Sequence, residues 1–141
     1  MDSGERLNQI AAALSIPRAE RHIFLCADQS NPRCAGRELT NELWAHLKTR
    51  LKERGLASAP PKWQGDLSID PDPVAPGDGS VLRSKVDCLR ICEQGAIAVV
   101  YPEGTWYAGL DKDKLDRIIE EHLVGGRPVT ELAFSTGELK R

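Results

Sequence analysis

Four cysteines are the residues of this 141-residue chain whose type and spacing could do chemistry. They form two pairs, Cys26 with Cys34 and Cys88 with Cys92, and a long stretch of chain separates the pairs. Soft thiolates bind zinc or iron–sulfur clusters, and four of them complete either a tetrahedral zinc site or a 2Fe–2S cluster. Disulfides and small buried hydrophobes are the ordinary alternatives for four cysteines.

The spacing within each pair leaves several of these sites open. Cys88 and Cys92 have the tight spacing that structural zinc sites favour, roughly two to four residues between ligands, whereas Cys26 and Cys34 are further apart. Neither the plant-type nor the bacterial ferredoxin spacing is present. The C-x-x-C motif of thioredoxin-like dithiols is also missing. Spacing alone therefore does not choose between an iron–sulfur cluster, zinc and a purely structural role.

Composition and charge argue against several classes of protein, including nucleic-acid binders and membrane proteins. The 19 Lys and Arg residues nearly cancel the 21 Asp and Glu residues, which leaves a net charge of −2 and argues against a strongly basic nucleic-acid binder. The longest apolar run, 96–101, is far shorter than the roughly 20 residues of a membrane-spanning helix. Residues 1–17 do not have the pattern of a secretory signal. We therefore expect a single cytoplasmic domain without nucleic-acid or membrane partners.

The elements around the cysteines predict how the two pairs meet. An apolar run over 22–26 predicts a buried strand that ends at Cys26, and Asn31-Pro32 favours a turn that places Cys34 on a loop. A second strand over 80–85 leads directly to Cys88. A helix between these strands would make a crossover, so the strands would be parallel and both pairs would lie at one edge of the sheet. The predicted helix, 38–54, has an apolar stripe that consists of Leu39, Leu43, Leu47 and Leu51.

The remaining segments complete an α/β fold. A mixed four-stranded sheet with two main helices is predicted, together with an N-terminal helical extension. Its further elements are an N-terminal helix (4–15), a buried strand (96–101), a hairpin partner (105–108) and a helix capped by Asp111 (112–123). A Pro- and Gly-rich segment, 57–80, predicts one long loop. The predicted divisions are an extension (1–20), a domain (21–135) and a tail (136–141).

The three histidines offer little chemistry of their own. His22, His46 and His122 are isolated in the sequence, and we expect His46 and His122 on helices at the surface or at the edge of the core. A Rieske site would need paired histidines near the cysteines. No Ser–His–Asp set, phosphate-binding glycine loop or nucleotide fingerprint is visible. The sequence therefore does not predict an enzyme.

Several segments together resemble a known family. They are His22–Gln29 (HIFLCADQ), Cys34, Arg83–Cys92 (RSKVDCLRIC), Ala96–Tyr107 (AIAVVYPEGTWY) and Arg117–Gly126 (RIIEEHLVGG). This combination resembles the thioredoxin-like 2Fe–2S ferredoxins, especially the ferredoxin-domain proteins of cyanobacteria. The resemblance covers about residues 21–134. The chain departs from the family pattern in its longer loop over 57–80 and in the additional residues 1–20.

The resemblance implies a function and a ligand set. It implies a thioredoxin-like fold without thioredoxin chemistry, a homodimer, and one-electron transfer between a protein donor and a protein acceptor. Such a carrier is not itself an enzyme, although related domains also occur as subunits of larger redox complexes. The cluster ligands implied are Cys26, Cys34, Cys88 and Cys92. A zinc-stabilised interaction module on the same four cysteines is the alternative.

Residues next to the ligands are the expected surroundings of a cluster. Backbone N–H groups and cations stabilise its negative charge, and hydrogen bonds to sulfur tune its potential. The candidates for this role are Ser30, Arg33, Gly36, Arg90 and Gly95. The alternative for the two arginines is a solvated surface charge, and the alternative for the two glycines is a role in turns alone. Leu89 and Ile91 are candidates for an apolar contact spot for redox partners, and the alternative is that one of the two belongs to the core.

Overall fold

The computed structural model describes residues 2–31, 35–58, 64–70, 79–91 and 93–137. Five strands form a mixed sheet in the order β2-β1-β3-β4-β5, so the predicted α/β class is confirmed. In chain order the elements are α1 (Ser3–Ala13), a 3-10 helix (Ile16–Arg18), β1 (Arg21–Cys26), α2 (Arg37–Glu53), β2 (Val81–Val86), β3 (Ala98–Tyr101), β4 (Thr105–Tyr107), α3 (Lys112–Arg117), a π-helix (Ile118–Val124) and β5 (Ala133–Ser135).

The predicted crossover is present. β1 and β2 are parallel neighbours, in a register that runs from Arg21 opposite Val81 to Cys26 opposite Val86, and α2 lies between them in the chain. β1 also pairs antiparallel with β3, so it is hydrogen-bonded on both sides. Because β1 and β2 point the same way and end in register, the segments that follow them begin side by side at one edge of the sheet.

The core lies between the sheet and two helical segments, α2 and the C-terminal helix, which cover one face of the sheet. Leu43, Leu47 and Leu51 of α2 are fully buried, as their spacing predicts. Leu39 was predicted in the same stripe but is 40% exposed, and it lies at the surface beside Glu42 at the start of the helix. The residues that complete the core from the sheet and the C-terminal helix include Ile23, Leu25, Val81, Val100, Tyr107, Leu115, Ile118 and Ile119.

Two parts of the C-terminal region differ from the sequence prediction. The sheet has a fifth strand, β5, which pairs antiparallel with β4. At three residues β5 is too short to give a periodicity signal, and it forms because Leu132 and Ala133 pack against the core. The last helix is α-helical only as far as Arg117 and then continues as a π-helix. Its buried positions are nevertheless those that an α-helical pattern predicts.

The N-terminal helix is present and is tied to the following part of the chain. The Asp2 side chain caps α1 by accepting a hydrogen bond from the Glu5 backbone N–H at 2.7 Å. The Arg6 guanidinium donates to the carbonyls of Asp66 and Ile69, at 3.2 and 2.9 Å. These contacts tie α1 to the described part of the predicted loop over 57–80, much of which lies outside the described residues.

Candidate metal centre

Two of the four cysteines lie at the edge of the sheet where β1 and β2 end. Cys26 is the last residue of β1 and is 1% exposed, whereas Cys88 lies two residues beyond the end of β2 and is exposed. The Ala27 N–H donates to the Val86 carbonyl at 3.0 Å, which extends the contact between the strands past their ends. The parallel crossover therefore brings one residue from each cysteine pair to the same edge.

The other two predicted ligands, Cys34 and Cys92, lie outside the described residues, as does Arg33. Within the part of the chain that the structure describes, no group of three or more His, Cys, Asp or Glu side chains could hold a metal ion. A site made of all four cysteines would combine these two described positions with one cysteine from each undescribed stretch. The donor set itself, four thiolates, is the one that suits zinc or a 2Fe–2S cluster.

The backbone around Cys88 suits a negatively charged sulfur. The Arg90 N–H donates to Cys88 Sγ at 3.1 Å, and Arg90 has a φ of 70°. This left-handed conformation turns the backbone N–H back toward the residue two positions earlier. Asp28 and Gln94 also have positive φ values, 52° each, and lie two residues after Cys26 and Cys92. Successive backbone N–H groups in such turns form concave anion sites, including those of iron–sulfur proteins.

The other residues expected around the cluster have different contacts. Ser30 donates both its N–H and its hydroxyl to the Asp87 carboxylate, at 2.6 and 2.9 Å. Gly36 is the N-cap residue of α2, and its carbonyl accepts from the Thr40 N–H. Gly95 is half-buried beside the buried segment that leads into β3. Of this set, Arg90 is the residue whose described hydrogen bond reaches a cysteine sulfur, through its backbone rather than its exposed guanidinium.

Asp87 and Arg37 contact the loop after β1, and neither residue belongs to the set predicted around the cluster. The hydrogen bonds from the backbone N–H and hydroxyl of Ser30 lower the pKa of Asp87 below its ordinary value. Arg37, in the first turn of α2, donates from Nε to the Gln29 carbonyl at 2.9 Å. The available signal was position alone, since Asp87 precedes Cys88 and Arg37 follows Cys34 closely in the sequence.

His122 is fully buried. The helical spacing predicts it on the inner face of the last helix, as observed, whereas its expected place at the surface or at the edge of the core was wrong. Its Nε2 lies 2.6 Å from Glu103 Oε1 and its Nδ1 lies 2.8 Å from the Tyr107 hydroxyl. The Val129 N–H in turn donates to that hydroxyl at 3.0 Å. A carboxylate only accepts and a backbone N–H only donates, so Nε2 carries the proton and Nδ1 accepts from Tyr107. The π-helix positions this ring between the turn after β3 and the end of β4.

The charges in this network follow from burial and hydrogen bonding. Burial lowers the pKa of His122 and raises that of Tyr107, which favours the neutral form of both side chains. Partial burial raises the pKa of Glu103, but hydrogen bonds from Arg21 and His122 outweigh this effect and leave it below its ordinary value. Glu103 is therefore ionised and pairs with Arg21 at 3.1 Å.

The other two histidines also serve local packing. His22 stacks on Phe24 with ring centroids 4.1 Å apart and shares a 2.8 Å hydrogen bond with Ser84, and burial lowers its pKa. His46 of α2 lies 2.7 Å from Asp116 of α3. Within the described structure, both imidazole rings therefore have partners outside the proposed metal centre.

Comparisons with known proteins identify the family. No protein-family model matches this chain. A putative 2Fe–2S ferredoxin of Priestia megaterium is 41% identical over 112 residues, which cover 79% of this chain and 68% of that protein. A 2Fe–2S ferredoxin of Aquifex aeolicus is 26% identical over 118 residues, which cover 84% and 92% of the two chains.

The fold comparison agrees with this assignment. A solved structure of a thioredoxin-like 2Fe–2S ferredoxin from Aquifex aeolicus superposes with a TM-score of 0.58 at 23% identity, covering 86% of this chain and 96% of that one. Across the described ranges, no helix is long and apolar enough to span a bilayer. The shared sheet and helices, and the sequence similarity along most of the chain, place this protein in the family of thioredoxin-like 2Fe–2S ferredoxins.

Proposed function

We propose that this chain is a one-electron carrier whose resident cofactor is a 2Fe–2S cluster held by Cys26, Cys34, Cys88 and Cys92. The observation that carries the proposal is the in-register, parallel pairing of β1 and β2, which places Cys26 and Cys88 at one edge of the sheet. Cys34 and Cys92 follow them closely in the sequence. The ferredoxin names of the relatives support the cluster over zinc on the same thiolates.

A 2Fe–2S cluster bound at this edge supplies reversible one-electron chemistry. The residues around the cysteines determine the charge that the site tolerates and its accessibility. The Arg90 N–H donates to Cys88 Sγ and so favours the negative charge that four thiolates bring together. Burial of Cys26 excludes water from one side of the site, and exposure of Cys88 leaves the other side accessible. This asymmetry suits a carrier that must exchange electrons with other proteins.

The redox donor and acceptor are proposed to dock beside Cys88. Leu89 is half-buried and Ile91 is 37% exposed, so the segment after β2 presents apolar surface next to the exposed thiol. Electron-transfer encounters use small contact areas and dissociate quickly, so a patch of this kind is sufficient. The chain acts as a carrier rather than an enzyme, alone or as a subunit of a larger redox complex. A cytoplasmic location is proposed because a reducing compartment keeps four cysteines available as metal ligands rather than as disulfides.

A homodimer is proposed through the sheet face opposite the helices. The register places Phe24, Val99 and Trp106 in one row across this face, and Phe24 contacts Tyr101 edge-on with ring centroids 6.2 Å apart. Phe24, Tyr101 and Trp106 are half-buried, whereas side chains on the core face are fully buried. A second copy that packed on this face would cover these rings. Sedimentation of the purified protein is expected to give the mass of two chains, and the mass of one chain would exclude the dimer.

The cofactor is tested on anaerobically purified protein. We expect a reddish-brown sample that contains about two iron and two sulfide per chain and gives an EPR signal only after reduction. Metal analysis, sulfide analysis and EPR of the same sample check the expectation. A colourless protein with about one zinc per chain and no sulfide would exclude the cluster and leave the zinc module.

A further inference from the structure

The loop that follows Cys26 is held on two sides by ionised side chains. From the residue after β2, the Asp87 carboxylate accepts hydrogen bonds from the N–H and hydroxyl of Ser30, at 2.6 and 2.9 Å. From α2, the Arg37 guanidinium donates to the carbonyls of Gln29 and Ser30. Asp87 thus accepts hydrogen bonds from donor groups of the loop, whereas Arg37 donates to carbonyl groups of the same loop. The two side chains approach this short segment from different parts of the fold.

A buried amide fixes the same loop from a third direction. The Gln29 side chain is 3% exposed, and its Oε1 accepts from the Thr40 hydroxyl of α2 at 2.7 Å. Its Nε2 donates to the Ala35 carbonyl at 3.4 Å, just beyond the undescribed residues that include Cys34. The Asp28 carboxylate pairs with Lys85 at 3.6 Å and approaches Arg37 at 3.9 Å. Protein groups alone therefore connect the loop after β1 to α2 and to the end of β2.

We infer that Arg37 and Asp87 are positioning residues that set the loop after Cys26 against the segment that bears Cys88, whether or not a cluster is present. This role rests on the proposed function, because the two segments matter for the cluster only if Cys26 and Cys88 are its ligands. Arg37 acts through the fork of its guanidinium, because Nε and Nη2 both donate to the Gln29 carbonyl and Nη2 also reaches the Ser30 carbonyl. A lysine keeps the positive charge, but its single nitrogen on a flexible stem cannot present two donor nitrogens in a plane to the Gln29 carbonyl.

Arg37→Lys and Asp87→Asn test this role, with Arg54→Lys as the matched control. Arg54 lies at the other end of α2, is similarly exposed and pairs with Glu120 at 3.1 Å. We expect both test variants to lose iron to a chelator about tenfold faster than the unaltered protein, because residues that orient metal ligands typically control affinity by 10–100-fold. The reduced-state EPR signal of both should shift, and Arg54→Lys should match the unaltered protein in both measurements.

Hydrogen exchange of the Ser30 amide gives a readout that does not depend on the cluster. In Asp87→Asn, this amide is expected to exchange about tenfold faster, because the charged acceptor is lost. Unaltered iron release and EPR in Arg37→Lys would overturn the role of the guanidinium fork, and unaltered Ser30 exchange in Asp87→Asn would overturn that of Asp87. If the unaltered chain takes up no iron or sulfide, the cluster proposal fails, while the exchange measurement still decides whether Asp87 holds the loop.

Discussion

Cys26→Ser is expected to leave the purified protein with almost no cluster, whereas Cys88→Ser retains a substantial fraction. Cys26 is buried at the end of β1, and its N–H donates to the Ile97 carbonyl at 3.1 Å. The strand cannot shift to adapt to the shorter, harder oxygen ligand. Cys88 is exposed and lies beyond the paired residues of β2, so strand pairing does not fix its position as it fixes that of Cys26. We expect the iron content of Cys26→Ser to be below about a tenth of that of the unaltered protein, and the iron content of Cys88→Ser to be above about a third of it.

Ala27→Ser is the control that separates the loss of a ligand from the destabilising effect of a buried hydroxyl at the end of β1. Ala27 is 2% exposed and follows Cys26 directly, so the substitution adds the same group without removing a ligand. It is expected to keep most of the iron. Iron, sulfide and visible absorption of the three variants, prepared side by side under anaerobic conditions, provide the comparison. Equal cluster content in Cys26→Ser and the unaltered protein would remove Cys26 from the ligand set.

The second large effect is expected for Tyr107→Phe, which does not touch the proposed ligands. The Tyr107 hydroxyl accepts from the Val129 N–H and donates to His122 Nδ1, and all three groups are buried. Removing it leaves a buried donor and a buried acceptor without partners, at a cost of about 1–3 kcal/mol for each unsatisfied group. We expect the free energy of unfolding to fall by about 2–4 kcal/mol. This is less than the largest sum for two unsatisfied groups, because the surrounding structure relaxes around them.

Tyr101→Phe is the matched control. Tyr101 lies half-buried on the opposite face of the sheet, and its hydroxyl has no hydrogen-bond partner in the described ranges. Its removal should change the free energy of unfolding by less than about 0.5 kcal/mol. Urea denaturation of both variants at equal cluster occupancy measures the difference. Similar stabilities of the two variants would contradict the network around His122.

Local patterns predicted the elements that carry the cysteines. The apolar run that ends at Cys26 and the leucine spacing of α2 are strong signals, and the crossover rule then places β2 parallel to β1. The partners of Ser30 and His122 were not predicted. Ser30 meets Asp87 across 57 positions of sequence, and Glu103, Tyr107 and His122 come from a turn, a strand and a π-helix. No short window of sequence contains such contacts, although all three network residues fall within the segments that resemble the family.

The long connection between α2 and β2 has a consequence for the metal centre. The pairing of β1 with β2 closes a loop of chain from Cys26 to Val86, and the entropy lost in that closure grows only with the logarithm of its length. Doubling such a loop costs about 0.6 kcal/mol, a small part of the stability of a domain. Chain can therefore be inserted between the two cysteine pairs with little penalty, and the segment over 57–80 can differ in length among relatives while the strand ends stay in register.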